Sequence, residues 1–343
     1  MTPQIVVKGE HLGLTTPATG LSIDTRWPLG SYQLDFTIPT GSTHPGILAE
    51  NAPTVVTAGG VAIWRGTVAD VDLDAGTVSC FGLARQADQA AALASGVTTS
   101  TPDAAIDAAI GRGVLKWTRP ASLSSSAHVT GDETEELWHV GPLLDAWAVE
   151  AGTNWYVDPS GAVRKATDPT SPSFILPPGV AKFSWATETQ ATSVVVRYID
   201  SVTEELATTS ASITSADTVE QLVDLRPLGK ISSTRAGDIA TAMLQRATSG
   251  GWTGSVTVPV GQILTVGGLA ADPAQFMLAV GRGCMIRNQG QVDPRPGRYA
   301  KPLDIVLGQA VWNVDDQTIT LTPQGSDPAD FASIIESFGA KSV

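Results

Sequence analysis

The sequence predicts a mainly β protein with an α+β middle region. Three observations carry that prediction. Residues 1–85 hold five or six short strand-like runs punctuated by Gly and Pro. Residues 86–183 change to helical periodicity interrupted by a hairpin. Residues 184–326 return to β with a helical insertion at about 226–250, and 327–343 read as a terminal amphipathic helix.

The clearest stretch runs from Gly59 to Ala92. Val61, Ala62, Ile63 and Trp64 make a short apolar run that Gly66 breaks. Residues 67–73 then alternate, with Val71 and Leu73 on one face and Asp70, Asp72 and Asp74 on the other. Asp74-Ala75-Gly76 has the chemistry of a three-residue hairpin loop, with Gly76 where positive φ is needed. Residues 77–81 return, Gly82 ends the sheet, and an Ala-rich helical segment follows. Upstream, strands are expected at 5–8, 21–27, 31–39 and from Val55. In the third of these, Tyr32, Leu34, Phe36 and Ile38 share a face; residues 40–53 are a loop with Gly41, Pro45 and Gly46 as turn formers. These pieces make a small barrel or sandwich.

In the middle region Thr101-Pro102-Asp103 is an N-cap, a Pro at the first helical position and an acid in the first turn. Ile106, Ala109 and Ile110 form its apolar face, and Gly111 and Gly113 stop it. Residues 121–136 are polar and read as an exposed loop. Pro142 starts a second helix whose face is Leu143, Leu144, Trp147, Ala148 and Ala151, with Gly152 as the stop. A hairpin turning at Asp158-Pro159-Ser160-Gly161 follows. Residues 168–179, with Pro169, Pro172, Pro177 and Pro178, read as a linker or irregular wall.

In the third region residues 194–199 are a buried strand, and the polar 203–221 segment suits an edge hairpin. Ser233 or Thr234 caps a helix with Ala236, Ile239, Ala240, Met243, Leu244 and Ala247 on one face. Strands are expected at 255–260, 276–280, 303–306, 310–314 and 318–322. Asp327-Pro328 starts the last helix, with Phe331, Ile334, Ile335 and Phe338 as its stripe. That stripe suits either docking to another protein or packing on its own chain. An internal similarity links Trp27-Pro-Leu-Gly30-Ser31 with Trp252-Thr-Gly254-Ser255, and Gly60-Val-Ala-Ile-Trp64 with Gly308-Gln-Ala-Val-Trp312. Chance among 9 Trp and 34 Gly produces such matches too, so they leave a repeat open.

Composition narrows the function. At 343 residues the chain can hold two or three domains. It carries 21 basic against 34 acidic residues, a net of −13, spread as −3 over 1–85, −5 over 86–185 and −5 over 186–343. Duplex nucleic-acid binding needs clustered Lys and Arg, so it is not expected. Cys80 and Cys284 sit in apolar surroundings and read as reduced core residues, although two cysteines do not by themselves exclude a pair. The first residues lack a basic region followed by an apolar core, so no export signal or membrane segment is expected, and synthesis is cytoplasmic.

Chemistry-bearing constellations are absent from the pattern. The Asp70-Val-Asp72-Leu-Asp74 run has Ala75 and Phe81 where a calcium loop needs Gly and Glu, so it reads as a solvated strand face. His11, His44, His128 and His139 have no ligand spacing. Ser124, Ser125 and Ser126 near His128 read as a polar loop. Glu133, Glu135 and Glu136, as a pair for glycoside hydrolysis, read as a solvated acidic run. No GxSxG elbow or Walker loop occurs. No catalytic, cofactor-binding or metal site is therefore expected, and no enzymatic activity.

With these pieces placed, the chain resembles the tail hub family of long-tailed bacteriophages, also called baseplate hub or minor tail proteins. The residues that carry the likeness are WPLGSYQLDFTIP, GGVAIWRGTVADVDLDAGTVSCFG, LLDAWAVEAGTNWYVDPSGAVRKATDPTSP, TSVVVRY and GWTGSVTV. The likeness is nearest to small hubs of phages of Gram-positive hosts. It implies two similar small β-barrel domains, at 1–85 and 184–326, with an α/β domain at 86–183 between them and a helical insertion in the second barrel. It further implies a homotrimeric ring whose six barrels match the six-fold tail tube and surround the DNA exit channel. Expected partners are the distal tail ring, tape measure and tip or receptor-binding proteins, with DNA passing transiently. The sequence ends soon after the second barrel, so a receptor-binding or wall-degrading extension is not expected. Two other classes compete: a hexameric distal tail ring protein, which normally lacks an α/β domain between barrels, and a wall-degrading tail protein.

Overall fold

Alternating apolar residues near the start build seven strands: β1 (Gln4–Val7), β2 (Glu10–His11), β3 (Thr19–Arg26), β4 (Leu29–Thr37), β5 (Pro53–Ala58), β6 (Val61–Asp72) and β7 (Thr77–Gly82). The structure, a computed structural model, describes residues 3–12, 18–39, 47–92, 99–119, 122–123, 128–129, 139–151, 153–185, 191–213, 218–226, 230–249, 252–293 and 301–324. The seven strands lie in the order β2-β1-β5-β6-β7-β4-β3. Leu34 and Phe36 are buried as the alternation predicts, but Tyr32 is not. The β3–β4 register passes from Asp24↔Gln33 to Thr25↔Ser31, which leaves Tyr32 as a bulge. Its ring lies under the Arg26 guanidinium at 3.5 Å.

Gly66 does not break the apolar run. β6 passes straight through it, because a Cβ there would lie 2.0 Å from the Phe81 carbonyl oxygen and 2.5 Å from the Trp64 ring. The glycine permits a close approach and does not mark a turn. The hairpin loop after β6 is one residue longer than expected, spanning 73–76, and Gly76 has φ +71°.

The middle region contains a 3-10 turn at Leu83–Asp88, β8 (Thr99–Ser100), α1 (Pro102–Gly111), β9 (His128–Val129), α2 (Val140–Glu150), β10 (Asn154–Val157) and β11 (Val163–Ala166). The α1 cap is as the sequence predicts: Thr101 Oγ1 accepts from the Ala104 N–H at 3.1 Å. Leu143, Leu144, Trp147 and Ala148 of α2 are buried with Ile106 and Ala109 of α1, while Ala151 is exposed. The Trp155 indole N–H donates to Asp145 at 2.7 Å and fastens the β10–β11 hairpin to α2.

Residues further on form β12 (Phe174–Leu176), β13 (Ser184–Trp185), β14 (Ser193–Asp200), β15 (Leu206–Ser212), β16 (Glu220–Asp224), β17 (Lys230–Ile231) and α3 (Ser233–Ser249). Then come β18 (Trp252–Thr253), β19 (Val256–Pro259), β20 (Leu264–Thr265), α4 (Pro273–Gly281), β21 (Met285–Val292), β22 (Pro302–Asn313) and β23 (Thr318–Pro323). Several expectations change here. The proline-rich 168–179 segment is no linker, since it contains β12, which pairs with β21 and β20. Residues 276–280 are helical rather than extended. The Asp272 carboxylate accepts from the Ala274 and Gln275 N–H groups and Pro273 opens the helix, so α4 is properly capped. Its 276–280 stretch is apolar at every position and nearly all buried, and that removes the periodicity by which a helix is recognised. The two short strands expected at 303–306 and 310–314 are one strand, β22, bent at a register shift beside Gly308. The 203–221 segment is not a hairpin: β15 and β16 lie on opposite sides of β14. The α3 cap is Ser232, whose Oγ accepts from the Arg235 N–H at 3.2 Å.

The result is mainly β: one curled sheet drawn from both ends of the chain, with few helices. β3 pairs with the second half of β22 from Ser22↔Asn313 to Arg26↔Gln309, and β21 pairs with the first half. One hydrophobic core runs under both halves, with α4 packed inside it. The helices α1 and α2 and the β10–β11 hairpin share a second core. The α3 helix and the β14–β17 sheet share a third. The expected terminal helix at 327–343, with Phe331, Ile334, Ile335 and Phe338, lies outside the described residues, as does most of 121–136.

Candidate functional site

The first and second cores meet where β4 begins. Gly30 (φ +91°) lets β10 run parallel against β4, since a Cβ there would lie 2.3 Å from the Val157 carbonyl oxygen. Asp168 accepts from the Trp27 indole at 2.8 Å and from Asn154 at 2.9 Å, and the Trp27 and Tyr156 rings lie 5.9 Å apart. Beside them is a cavity of about 10 Å³ lined by Thr25, Tyr156, Asp158, Met277 and Arg282, among others. That volume suits about one water and no substrate.

The charges here brace the fold. Burial opposes the Asp158 carboxylate, but hydrogen bonds from Ser160, Arg164 and Ala162 outweigh it and hold its pKa below the usual carboxylate range. Burial pushes the Asp24 carboxyl up, against Arg26 and the Gln309 amide that lower it. The Gln309–Asp24 bond, 2.9 Å long, ties β22 to β3 across the seam. Burial likewise raises Asp88, opposed by Arg85 and His139.

Among the described residues, those weighed from sequence do not converge. Asp72 turns its Oδ1 to the Asp74 and Ala75 N–H groups, both at 2.9 Å, so it closes its own hairpin turn. Asp70 and Asp74 are exposed beside it. His11 is exposed at the sheet edge on β2, His139 bridges Ala91, and His128 is in β9. His44, Ser124, Ser125, Ser126, Glu133, Glu135 and Glu136 lie outside the described residues. Among the described residues no group of three or more His, Cys, Asp or Glu is placed to hold a metal. Cys80 and Cys284 are both buried and free, and burial pushes both thiols up to about 12. Neither is a thiolate at neutral pH.

What sequence reasoning only glimpsed is a repeated strand order. In the first half the sheet runs β5-β6-β7-β4; in the second it runs β21-β22-β23-β19. In each, a 12-residue strand, a four-residue loop and a 6-residue strand make a hairpin, and the short strand pairs back onto an earlier one. The Gly-Ser matches fall at equivalent places: Gly30 (φ +91°) opens β4, and Gly254 (φ +74°) precedes β19. The matched tryptophans fall on the equivalent strands β6 and β22 but at different heights, fourth in one and eleventh in the other. Both are fully buried with unpartnered indole N–H groups. Trp27 and Trp252 do not correspond: one is in the β3–β4 turn, the other in β18 against Trp185. Both hairpin tips are acidic, with Asp72 and Asp74 on one, Asp315 and Asp316 on the other.

No family model matches the chain, and no curated protein matches it in sequence. Solved structures do share its fold. The 43 kDa tail protein of prophage MuSo2 from Shewanella oneidensis has TM-score 0.62 at 11% identity, covering 95% of this chain and 99% of that one. The tail protein from Neisseria meningitidis MC58 has TM-score 0.61 at 16% identity, covering 94% and 97%. Prophage tail protein gp18 from Listeria monocytogenes EGD-e has TM-score 0.60 at 11% identity, covering 98% of each. The likeness runs end to end in all three.

Proposed function

We propose that this chain is a structural hub of a phage tail tip, located in the virion after synthesis in the host cytoplasm. Three copies close a ring that joins the six-fold tail tube to the three-fold tip and surrounds the DNA exit channel. The observation that carries the reading is the repeated strand order within one chain, on a fold shared with three tail proteins. Two like modules per chain let three chains offer six near-equivalent surfaces, which resolves the symmetry mismatch at the joint. In this reading residues 1–85 and 184–326 supply the ring modules and 86–183 hangs outside or below. The dispersed net charge of −13 suits a lumen that DNA must pass without sticking. The neighbours are the distal tail ring above, the tape measure within and tip or receptor-binding proteins below.

The deciding experiment is a symmetry-resolved image of the assembled tip. Three copies per ring, with the β4–β7 and β19–β23 modules alternating around it, is the expected result. Six copies would move the assignment to a distal tail ring protein. The ring role is non-catalytic, so purified chain is expected to leave host peptidoglycan intact. Clearing that was lost in Glu133→Gln or Glu135→Gln would make it a wall-degrading tail protein instead.

A further inference from the structure

The β14–β17 sheet packs α3 on one face, and among the described residues no helix shares a core with its other face. Val194, Val196 and Tyr198 point into the α3 core, so Val195, Arg197 and Ile199 face the other way. Beside them on that open face stand Leu206 and Leu222, 52% and 78% exposed. The edge of this sheet is β15, Leu-Ala-Thr-Thr-Ser-Ala-Ser, paired with β14 over all seven residues without a register shift. Glu205 bonds to β14 through its carbonyl and Ile213 through its N–H, so the odd positions face inward. Leu206, Thr208, Ser210 and Ser212 therefore aim their N–H and C=O groups outward. Among the described strands, the other edges are blunted. β2, β8, β9, β13, β17, β18 and β20 have two residues each, β11 carries Arg164 and Lys165, β16 carries Glu220 and Asp224, and β19 ends in Pro259. Such devices stop unwanted strand pairing. β15 has no charge, no proline and no bulge.

We propose that β15 is a docking edge that takes up an extended strand of a different protein chain. The docked strand is uncharged over about four residue pairs and basic at the end that lies beside Glu205. Glu205 is exposed at the start of β15, and β15 itself carries no Arg or Lys; Arg197 stands opposite Thr208 on the open face, three residues along from Glu205. A second copy of this chain suits the edge poorly, because its own β15 brings no basic residue to meet Glu205. Ala207 and Ala211, small and half-buried against α3, leave room for apolar side chains at alternate positions of the incoming strand. The inference does not depend on the hub reading.

The test uses the full chain and a synthetic peptide, acetyl-Lys-Val-Thr-Val-Thr-Val-Thr-Val-Lys-amide. In the free protein the Leu206, Thr208, Ser210 and Ser212 amides should exchange quickly, while those of Ala207, Thr209, Ala211 and Ile213 are protected. Adding peptide should protect the first set. Ser210→Pro removes one outward donor and should abolish that protection; proline is tolerated where an edge N–H faces solvent. Ser210→Lys, which leaves the backbone intact, should do the same by repelling the peptide's charge and guarding the edge. The proposal is overturned if the outward amides are already protected in the free chain, whether by its own residues or by a second copy. It is overturned equally if peptide at millimolar concentration protects nothing, if both variants bind as well as the parent, or if the peptide with Glu in place of Lys binds as tightly.

Discussion

Asp158 shows how a single carboxylate can hold a turn. It gathers the Ser160 and Ala162 N–H groups, the Ser160 hydroxyl and the Arg164 guanidinium around one hairpin corner. Its folded pKa lies below the unfolded value, so its stabilisation is present above the unfolded carboxylate range and is lost as pH falls through the folded value. Asp158→Asn is expected to cost about 1–3 kcal/mol at pH 7, with the gap between variant and parent closing below about pH 4. Urea melts of both proteins at the two pH values check this; a gap independent of pH would mean the charge is irrelevant. Glycines at this scale divide by what surrounds them. Gly66→Ala must push a methyl into the Phe81 carbonyl and the Trp64 ring, and should destabilise by about 1–3 kcal/mol. Gly237→Ala, within α3 and with nothing inside 4 Å, should stabilise by about 0.5–1 kcal/mol. Equal effects from the two would show that close approach is not what keeps Gly66.

At the scale of elements, α4 is the most consequential. It packs Phe276, Met277 and Val280 into the core beneath both halves of the sheet, and the Phe276 ring meets Phe174 of β12 edge-on at 4.9 Å. Phe276→Ala should therefore cost about 3–5 kcal/mol, read as a loss of melting temperature for the whole chain. A local change that left the melt untouched would mean that the two halves are not held through α4. Asp272→Ala should cost about 1 kcal/mol through the lost cap alone. β22 is the other organising element. Its first half pairs with β21, its second half with β3, and the bend between them falls beside Gly308. One strand thereby belongs to both halves of the sheet.

For the whole molecule, that seam sets how the modules relate. The β5-β6-β7-β4 and β21-β22-β23-β19 sets are joined by continuous backbone hydrogen bonding and one core, so they should move as one body. Under the proposed ring, this rigidity fixes the angle between successive tube-facing modules within each chain. Gln309→Ala removes the side-chain tie from Asp24 across the seam and leaves a carboxylate that burial already disfavours. It is expected to cost about 1–3 kcal/mol, measured by denaturant unfolding that stays two-state. Separate unfolding of the two halves would contradict the single-body reading. Among the described residues, no helix is long and apolar enough to cross a membrane.

The sequence by itself determined what depends on neighbours along the chain. Period-two alternation marked β4 and β6; the Asp74–Gly76 loop marked the return of β7; an apolar run marked β14; Thr101-Pro102 marked α1; Asp158 to Gly161 marked a turn; and two isolated cysteines in apolar runs marked buried thiols. Each rests on local geometry that a few consecutive residues impose. The tertiary structure decided what depends on distant neighbours. The 276–280 run is apolar on every side, and only burial beneath both halves of the sheet makes it a helix rather than a strand. Gly66 reads as a breaker until Phe81 and Trp64 are seen to need its space. The proline-rich 168–179 segment becomes a strand because β21, more than a hundred residues away, offers it a partner. The repeat was faint in the residues and plain in the strand order, since two modules can keep one topology while the side chains that fill it shift height along the strand.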